Sequence, residues 1–200
     1  MSVKMKKSTH FWSEQWESSE VGTTLGLFSL VALGLAFVIQ NSHMMKHYFM
    51  VDKPHPNKTL LTFDAFFPFY LTEHSDKTNR TLHFIGTSLI ITGCLVFSPR
   101  TLASIFLSMP IATCAFYLNV HAAKGFAEFA LLLLVVMVVN RLLTGGYRNA
   151  LAVMVCGYGF AWFGHFVFEK NQPATFTYPT FSLMSDFYMW FQLITGQIGF

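Results

Sequence analysis

Residues 126–139 read FAEFALLLLVVMVV, an apolar run in which Glu128 is the one charged side chain. Similar runs lie on both sides of it, and each approaches the length needed to cross the roughly 30 Å hydrocarbon core of a bilayer. These runs are Val21–Gln40, Leu82–Phe97, Leu102–Val120 and Ala150–Phe168. The pattern predicts an all-α, multi-span integral membrane helical bundle with four or five transmembrane helices and some interfacial segments.

The composition supports this fold class and excludes several others. Hydrophobic residues make up 53% of the 200 residues and charged residues 12%, whereas soluble domains average about 25% charged residues. The formal net charge of +3 provides no basic field for nucleic acid. The three cysteines lie in apolar runs without CxxC spacing, which argues against a disulfide framework and against a zinc ribbon.

The chain is predicted to have two parts, divided by a polar connection that contains Pro54 and Pro56. Residues 1–57 form an N-terminal appendage with one extra span, and residues 58–200 form the main membrane domain. Three glutamates separate the N-terminal lysines from Val21–Gln40, which indicates a retained span rather than a cleaved signal peptide.

The lengths of the runs leave their boundaries open. Leu82–Phe97 and Phe126–Val139 would be only about 24 Å and 21 Å long as helices, so either flanking residues extend them or they enter the bilayer without crossing it. Pro110 predicts a kink or break in Leu102–Val120. The aromatic segment Leu60–Leu71 is predicted to lie at the membrane interface, and Phe187–Phe200 is predicted to be interfacial or re-entrant.

Four histidines of the main domain lie near the ends of predicted spans: His74, His83, His121 and His165. If all four runs from Leu82 onward cross the membrane, an even number of crossings separates each histidine from the others. All four would then lie near one membrane face, where a shared site could form. The alternative for each of them is a solvated interfacial residue.

A carboxylate accompanies the last of these histidines. His165 and Glu169 are four residues apart on a predicted helix and would share a face. Imidazole nitrogens combined with a carboxylate are typical ligands of non-haem Fe(II), which keeps coordination positions open for O2 and substrate. The alternative is a surface ion pair of Glu169 with Lys170 or Arg80.

Two longer motifs carry a resemblance to a known family. FFPFYLTEHSDKTNRTLHFIGT (Phe66–Thr87) and YGFAWFGHFVFEKNQPATFTYPTFSL (Tyr158–Leu183) together resemble the Mpo-like membrane family, formerly a domain of unknown function. Its characterised members are iron-dependent 2-hydroxy fatty acid dioxygenases of the endoplasmic reticulum. The resemblance covers roughly residues 60–198. One histidine, His74, stands where the characterised branch has two.

The resemblance implies α-oxidation of 2-hydroxy fatty acids, which Fe(II) and O2 shorten by one carbon, in the breakdown of phytosphingosine. Glu169 and Asn171 belong to the second motif, and Glu169 is expected to be a fourth ligand or to fix an imidazole tautomer. Arg80 or Lys170 is expected to steady the substrate carboxylate. The bilayer, a long-chain 2-hydroxy fatty acid and O2 are the expected partners, and nucleic acid is not. The metal ligands expected from the motifs are His74, His83 and His165, and His121 is added from its predicted position.

Three other functions remain as alternatives. A scaffold or lipid-binding protein without chemistry would bind no metal and would tolerate His74→Ala. A transporter or channel would need polar residues near the middle of the membrane, and the predicted spans contain few. A b-type haem protein would use two of the histidines as axial ligands.

Overall fold

The structure, a computed structural model of the chain, describes Gly26, residues 44–49 and residues 53–200. These residues form helices and loops and contain no strand. The last helix is preceded by a short 3-10 helix at Ala174–Phe176, and α5 continues directly into a π-helical segment at Gly164–Glu169. Residues 44–48 are also helical, and from residue 53 onward the α-helices are α1 (Phe63–Thr72), α2 (Lys77–Phe97), α3 (Pro99–Leu118), α4 (Phe126–Thr144), α5 (Arg148–Phe163) and α6 (Pro179–Ile194).

Within the described residues, four helices are long and apolar enough to cross a membrane: α2, α3, α4 and the continuous stretch Arg148–Glu169. This confirms the predicted all-helical, multi-span membrane fold. The predicted first span, Val21–Gln40, lies outside the described residues except for Gly26. The division of the chain at residue 57 stays a prediction.

Flanking polar residues lengthen the two runs that looked too short. α2 begins at Lys77 and has 21 residues, and α4 continues to Thr144 and has 19, which gives helices of about 31 Å and 28 Å. α2 begins where the Asp76 side chain accepts hydrogen bonds from the N–H groups of Thr78 and Asn79. α4 ends at Gly145, which adopts a left-handed conformation with φ of 79°.

α3 is the central helix of the bundle and the most buried of the four spans. It continues through Pro110 as one helix, so the predicted break does not occur; a proline interrupts only one backbone hydrogen bond directly. Ser104, Ser108 and Thr113 are fully buried on α3, and each hydroxyl donates to a carbonyl three or four residues earlier. These hydroxyls are therefore satisfied within an apolar interior.

The two shorter helices, α1 and α6, pack together and close one side of the bundle. Phe66 of α1 is fully buried, and its ring centroid lies 5.7 Å from that of Phe181 on α6. α6 also contacts α2, α3 and α4. Residues 187–194 therefore belong to a packed helix, and the interfacial or re-entrant placement of Phe187–Phe200 stays a prediction. The packing of α6 brings its Asp186 to His83 near the start of α2.

Candidate metal centre

Three histidines meet at one end of the bundle. His74 follows α1, His83 lies in the second turn of α2, and His165 lies in the π-helical segment after α5. They meet because α2 starts and α5 ends at the same end of the bundle. The three side chains are buried, and each offers a ring nitrogen that lies within 4.8 Å of the other two. The structure thus brings together three of the four predicted metal ligands.

The three imidazole rings pack against one another at steep angles. The ring centroid of His74 lies 4.3 Å from that of His83 and 4.6 Å from that of His165, with interplanar angles of 84° and 77°. The Nε2 atoms of His74 and His83 are 3.2 Å apart. Because the rings touch edge to face, they leave no gap for a flat porphyrin between them, and the arrangement does not fit the b-type haem alternative.

Hydrogen bonds to the other ring nitrogen set the tautomers of His74 and His165. Nδ1 of His74 lies 2.7 Å from the backbone carbonyl oxygen of Tyr70, and Nδ1 of His165 lies 2.7 Å from the side-chain oxygen of Asn171. The amide nitrogen of Asn171 donates to the backbone carbonyl and the carboxylate of Glu73, which fixes the amide orientation. A carbonyl oxygen and a side-chain amide oxygen can accept a hydrogen bond but cannot donate one. Each Nδ1 therefore carries the hydrogen, and each Nε2 has a free lone pair.

His83 is held in the same tautomer by a carboxylate from α6. Its Nδ1 lies 2.6 Å from the Asp186 carboxylate, which also accepts a hydrogen bond from the Tyr70 hydroxyl at 2.5 Å. Burial, followed by the Asp186 charge and hydrogen bond, raises the pKa of Tyr70 well above its usual range, so Tyr70 stays a hydroxyl donor. A histidine that donates one N–H to a carboxylate is a more basic metal ligand through its other nitrogen.

Sequence reasoning missed Asp186. The signal was present, since Asp186 is the one charged side chain between residues 171 and 200. A lone carboxylate in an apolar run of a membrane protein indicates a specific partner. The partner here is 103 positions earlier in the chain, which the local pattern could not identify.

The arrangement fits a divalent transition metal. Burial lowers the pKa of His74 well below its usual value, and the nearby His83 and His165 lower it further, so His74 is neutral and able to bind a metal. The unprotonated Nε2 atoms of His74 and His83 lie 3.2 Å apart, and this repulsion between lone pairs is relieved when a cation binds between them. A set of imidazole nitrogens suits iron, zinc, copper or nickel.

Glu169 is hydrogen-bonded to the loop between α1 and α2 and to Asn79. Its carboxylate accepts hydrogen bonds from the N–H and hydroxyl of Ser75, the N–H of Asp76 and the side-chain amide of Asn79, at 2.6–3.1 Å. It therefore fastens the π-helical segment to the loop between α1 and α2. The group of possible metal ligands in the described residues does not include it.

Arg80 also acts on the loop that carries His74. Its guanidinium donates two hydrogen bonds to the backbone carbonyl of His74 and one to that of Gly199. Lys170 is exposed in a left-handed conformation with φ of 57°. His121 is exposed and lies apart from the cluster, where its Nδ1 donates to the backbone carbonyl of Lys53 at 2.8 Å.

Comparison with known proteins gives one family match. The model of the family described as 2-hydroxy-palmitic acid dioxygenase Mpo1-like matches residues 60–198. The matched region contains the three clustered histidines and the two side chains, Asn171 and Asp186, that hold two of them. No curated protein and no solved structure matches the chain.

Proposed function

The chain belongs to the Mpo1-like family of 2-hydroxy-palmitic acid dioxygenases, and we propose that it is an Fe(II)-dependent dioxygenase of 2-hydroxy fatty acids. The observation that carries the proposal is the convergence of three imidazoles, each of which offers a ring nitrogen within 4.8 Å of the other two and donates its Nδ1 hydrogen to a separate acceptor. The endoplasmic reticulum membrane and the breakdown of phytosphingosine stay predictions from the resemblance.

The proposed reaction converts a 2-hydroxy acid and O2 into an acid one carbon shorter, carbon dioxide and water. The substrate supplies all four electrons that O2 takes up, so no other reductant is needed. Fe(II) held by His74, His83 and His165 would supply the redox chemistry, with coordination positions left for O2 and for the hydroxyl and carboxylate of the substrate.

The protein's own groups have three tasks in this scheme. The acceptors on Nδ1 hold the imidazoles in one orientation before any ligand arrives. Asp186 adds a negative charge beside the cationic centre and moderates its net charge. The buried position of the histidines limits the access of water, while the surrounding spans keep the site next to the bilayer in which a fatty acid dissolves.

The first test is the metal content of the purified protein. The wild type, His74→Ala/His165→Ala and His121→Ala would be purified in detergent without oxygen and with Fe(II) supplied. We expect near-stoichiometric iron in the wild type and in His121→Ala, because His121 lies outside the cluster, and loss of iron in the double variant. Circular dichroism and gel filtration would show that all three are folded.

The second test is turnover of 2-hydroxypalmitic acid under O2, followed by mass spectrometry of the shortened acid. Product from the wild type and His121→Ala, but not from the double variant, is the expected result. A folded wild type without iron would contradict the proposal and favour a scaffold or lipid-binding protein. If the wild type binds iron but forms no product, the proposed metal centre would be supported and the proposed reaction would be wrong.

A further inference from the structure

A cavity leads from the three-histidine cluster into the interior of the bundle. Its walls come mainly from α2, α4, α5 and α6, with Ile105 of α3 and Thr175 of the 3-10 helix completing them. His83 and Asp186 line one end of it, together with Thr175 and the ring of Tyr158. The same cavity therefore touches the candidate metal centre and the apolar interior between the spans.

Beyond this polar end the cavity wall is apolar. Leu132 and Val136 of α4 and Met154 of α5 line it, all of them without a hydrogen-bonding group on the side chain. His83 and Ile90 both line it and lie seven positions apart on α2, which corresponds to about 10 Å along the helix. The cavity thus runs at least this far from the metal centre along the spans.

A second cavity continues in the same direction. It lies between α2, α3 and α5 and is lined by residues such as Gly93, Phe97 and Cys156. Ile90 and Val153 line both cavities. These two side chains therefore form a partition between a space that reaches the metal centre and a space that reaches the opposite ends of the spans.

The partition depends on a close approach of two helices. A Cβ atom on Gly157 of α5 would lie 2.8 Å from Cδ1 of Ile90, so a glycine at this position gives the Ile90 side chain its room. Val153 lies one helical turn before Gly157 and is half-buried. The position of the partition is thus set by Ile90, Val153 and the space left by Gly157.

We propose that the first cavity holds the acyl chain of the 2-hydroxy acid and that Ile90 and Val153 set the accepted chain length. The inference rests on the proposed function. A space that is polar at the metal centre and apolar beyond it matches an amphiphile whose carboxylate and hydroxyl lie at the histidines. The extended chain of 2-hydroxypalmitic acid is longer than the distance of about 10 Å from His83 to Ile90, so the first cavity holds the carbons nearest the carboxylate and the methyl end passes the partition into the second cavity. A short chain ends before the partition.

The direct test is a photoreactive ligand. 2-Hydroxypalmitic acid with a diazirine near the middle of its chain would be bound to anaerobic, Fe(II)-loaded protein, irradiated and mapped by mass spectrometry. Without O2 there is no turnover, so this experiment reports position alone. We expect labelled peptides around Ile90 and Val153. Label confined to the lipid-facing surface, or a co-purified phospholipid that the acid does not displace, would overturn the proposal.

A filling variant tests the chain-length role. Val153→Phe fills space at the partition, whereas Val155→Phe makes the same change on the same helix at a side chain that is 72% exposed. We expect Val153→Phe to weaken binding of 2-hydroxypalmitic acid about tenfold, because roughly two methylenes lose their burial. Binding of 2-hydroxyoctanoic acid and of iron should be unchanged, and Val155→Phe should match the wild type.

An opening variant should have the opposite effect. Ile90→Ala joins the two cavities and should improve binding of 2-hydroxypalmitic acid, whose chain passes the partition, whereas Ile85→Ala, at an exposed position of α2, should not. Unchanged chain-length preference in both Val153→Phe and Ile90→Ala would overturn the proposal even if the wild type turns over 2-hydroxy acids. Conversely, label at the partition without any turnover would retain the acyl cavity and reject the dioxygenase function.

Discussion

The three imidazoles of the cluster donate their Nδ1 hydrogens to three chemically different acceptors. One acceptor is a backbone carbonyl, one is the amide oxygen of Asn171, and one is the carboxylate of Asp186. Of the three acceptors, only that carboxylate carries a charge, so it alone makes its histidine a markedly stronger donor to a cation. Asp186 is therefore the partner whose charge should matter most for metal affinity.

We predict that Asp186→Asn weakens Fe(II) affinity about 10–100-fold. The amide oxygen can still accept from Nδ1 of His83, so the variant removes the charge and keeps the hydrogen bond. Anaerobic titration with a chelator of known affinity would measure the change. Tyr70→Phe is the matched control, since it removes the second hydrogen bond to Asp186 and leaves the charge. Its Fe(II) affinity should fall less than that of Asp186→Asn. Equal affinity in Asp186→Asn and the wild type would contradict the role of the charge.

The motifs and the parity of the crossings predicted the residues that meet, but not the distances between them. His74, His83 and His165 were identified in this way. His121 satisfies the same parity argument and lies apart from the cluster. Parity assigns a residue to a membrane face, and on one face two helix ends can be separated by one or more interaxial distances of 8–10 Å. Only packing decides which helix ends are neighbours.

At the scale of elements, the π-helical segment after α5 positions both His165 and Glu169. In a π-helix each hydrogen bond reaches five residues back instead of four. His165 lies in the first turn of this segment and enters the cluster, whereas Glu169 is its last residue and contacts the α1–α2 loop. Propensity and periodicity carry no signal for this local change of helix type, so the sequence could not predict it.

We predict that Gly164→Ala disrupts the centre. An added Cβ would lie 2.2 Å from the side-chain oxygen of Asn79, and Asn79 is fully buried and donates to Glu169. The packing of α2 against the π-helical segment must shift, and iron affinity and unfolding temperature should both fall. Gly159→Ala, five residues earlier with nothing within 4 Å of the added Cβ, should behave like the wild type. Matching behaviour of the two variants would count against this packing role.

A separate prediction distinguishes two roles of Glu169. In one it is a metal ligand, and in the other its hydrogen bonds hold the π-helical segment against the α1–α2 loop. Its carboxylate accepts four hydrogen bonds from the α1–α2 loop and from Asn79. In Glu169→Gln an amide N–H faces these donors, so we expect a loss of about 1–3 kcal/mol of stability. Thermal unfolding in detergent should show this loss, while iron still saturates at the wild-type stoichiometry. Loss of iron without loss of stability would instead support ligation by Glu169.

At the scale of the whole molecule, a buried ion pair joins the segment before α1 to the first turn of α4. The Lys58 ammonium contacts the carboxylate of Glu128 and donates to the backbone carbonyl of Asn119 at 3.0 Å. Both charged side chains are almost completely buried. A buried pair adds little net stability, but removal of one partner leaves an uncompensated charge.

We therefore predict that Lys58→Met destabilises the protein by about 3–5 kcal/mol and that Lys58→Met/Glu128→Leu regains most of that loss. Unfolding temperature in detergent would measure both. Lys53→Met is the matched control, because that lysine is exposed, and it should leave the unfolding temperature unchanged. A double variant less stable than Lys58→Met would show that the two side chains do not act as a pair.

The order of the chain has a consequence for biosynthesis. The ribosome completes the four spans found in the described residues, and the three clustered histidines, before it reaches Asn171 and Asp186. Until Asn171 and Asp186 have been synthesised, His165 and His83 lack the acceptors that set their tautomers. Iron capture should be a late, post-insertional event that follows docking of α6. A nascent chain stopped after residue 170 would insert its spans and still be unable to acquire iron normally.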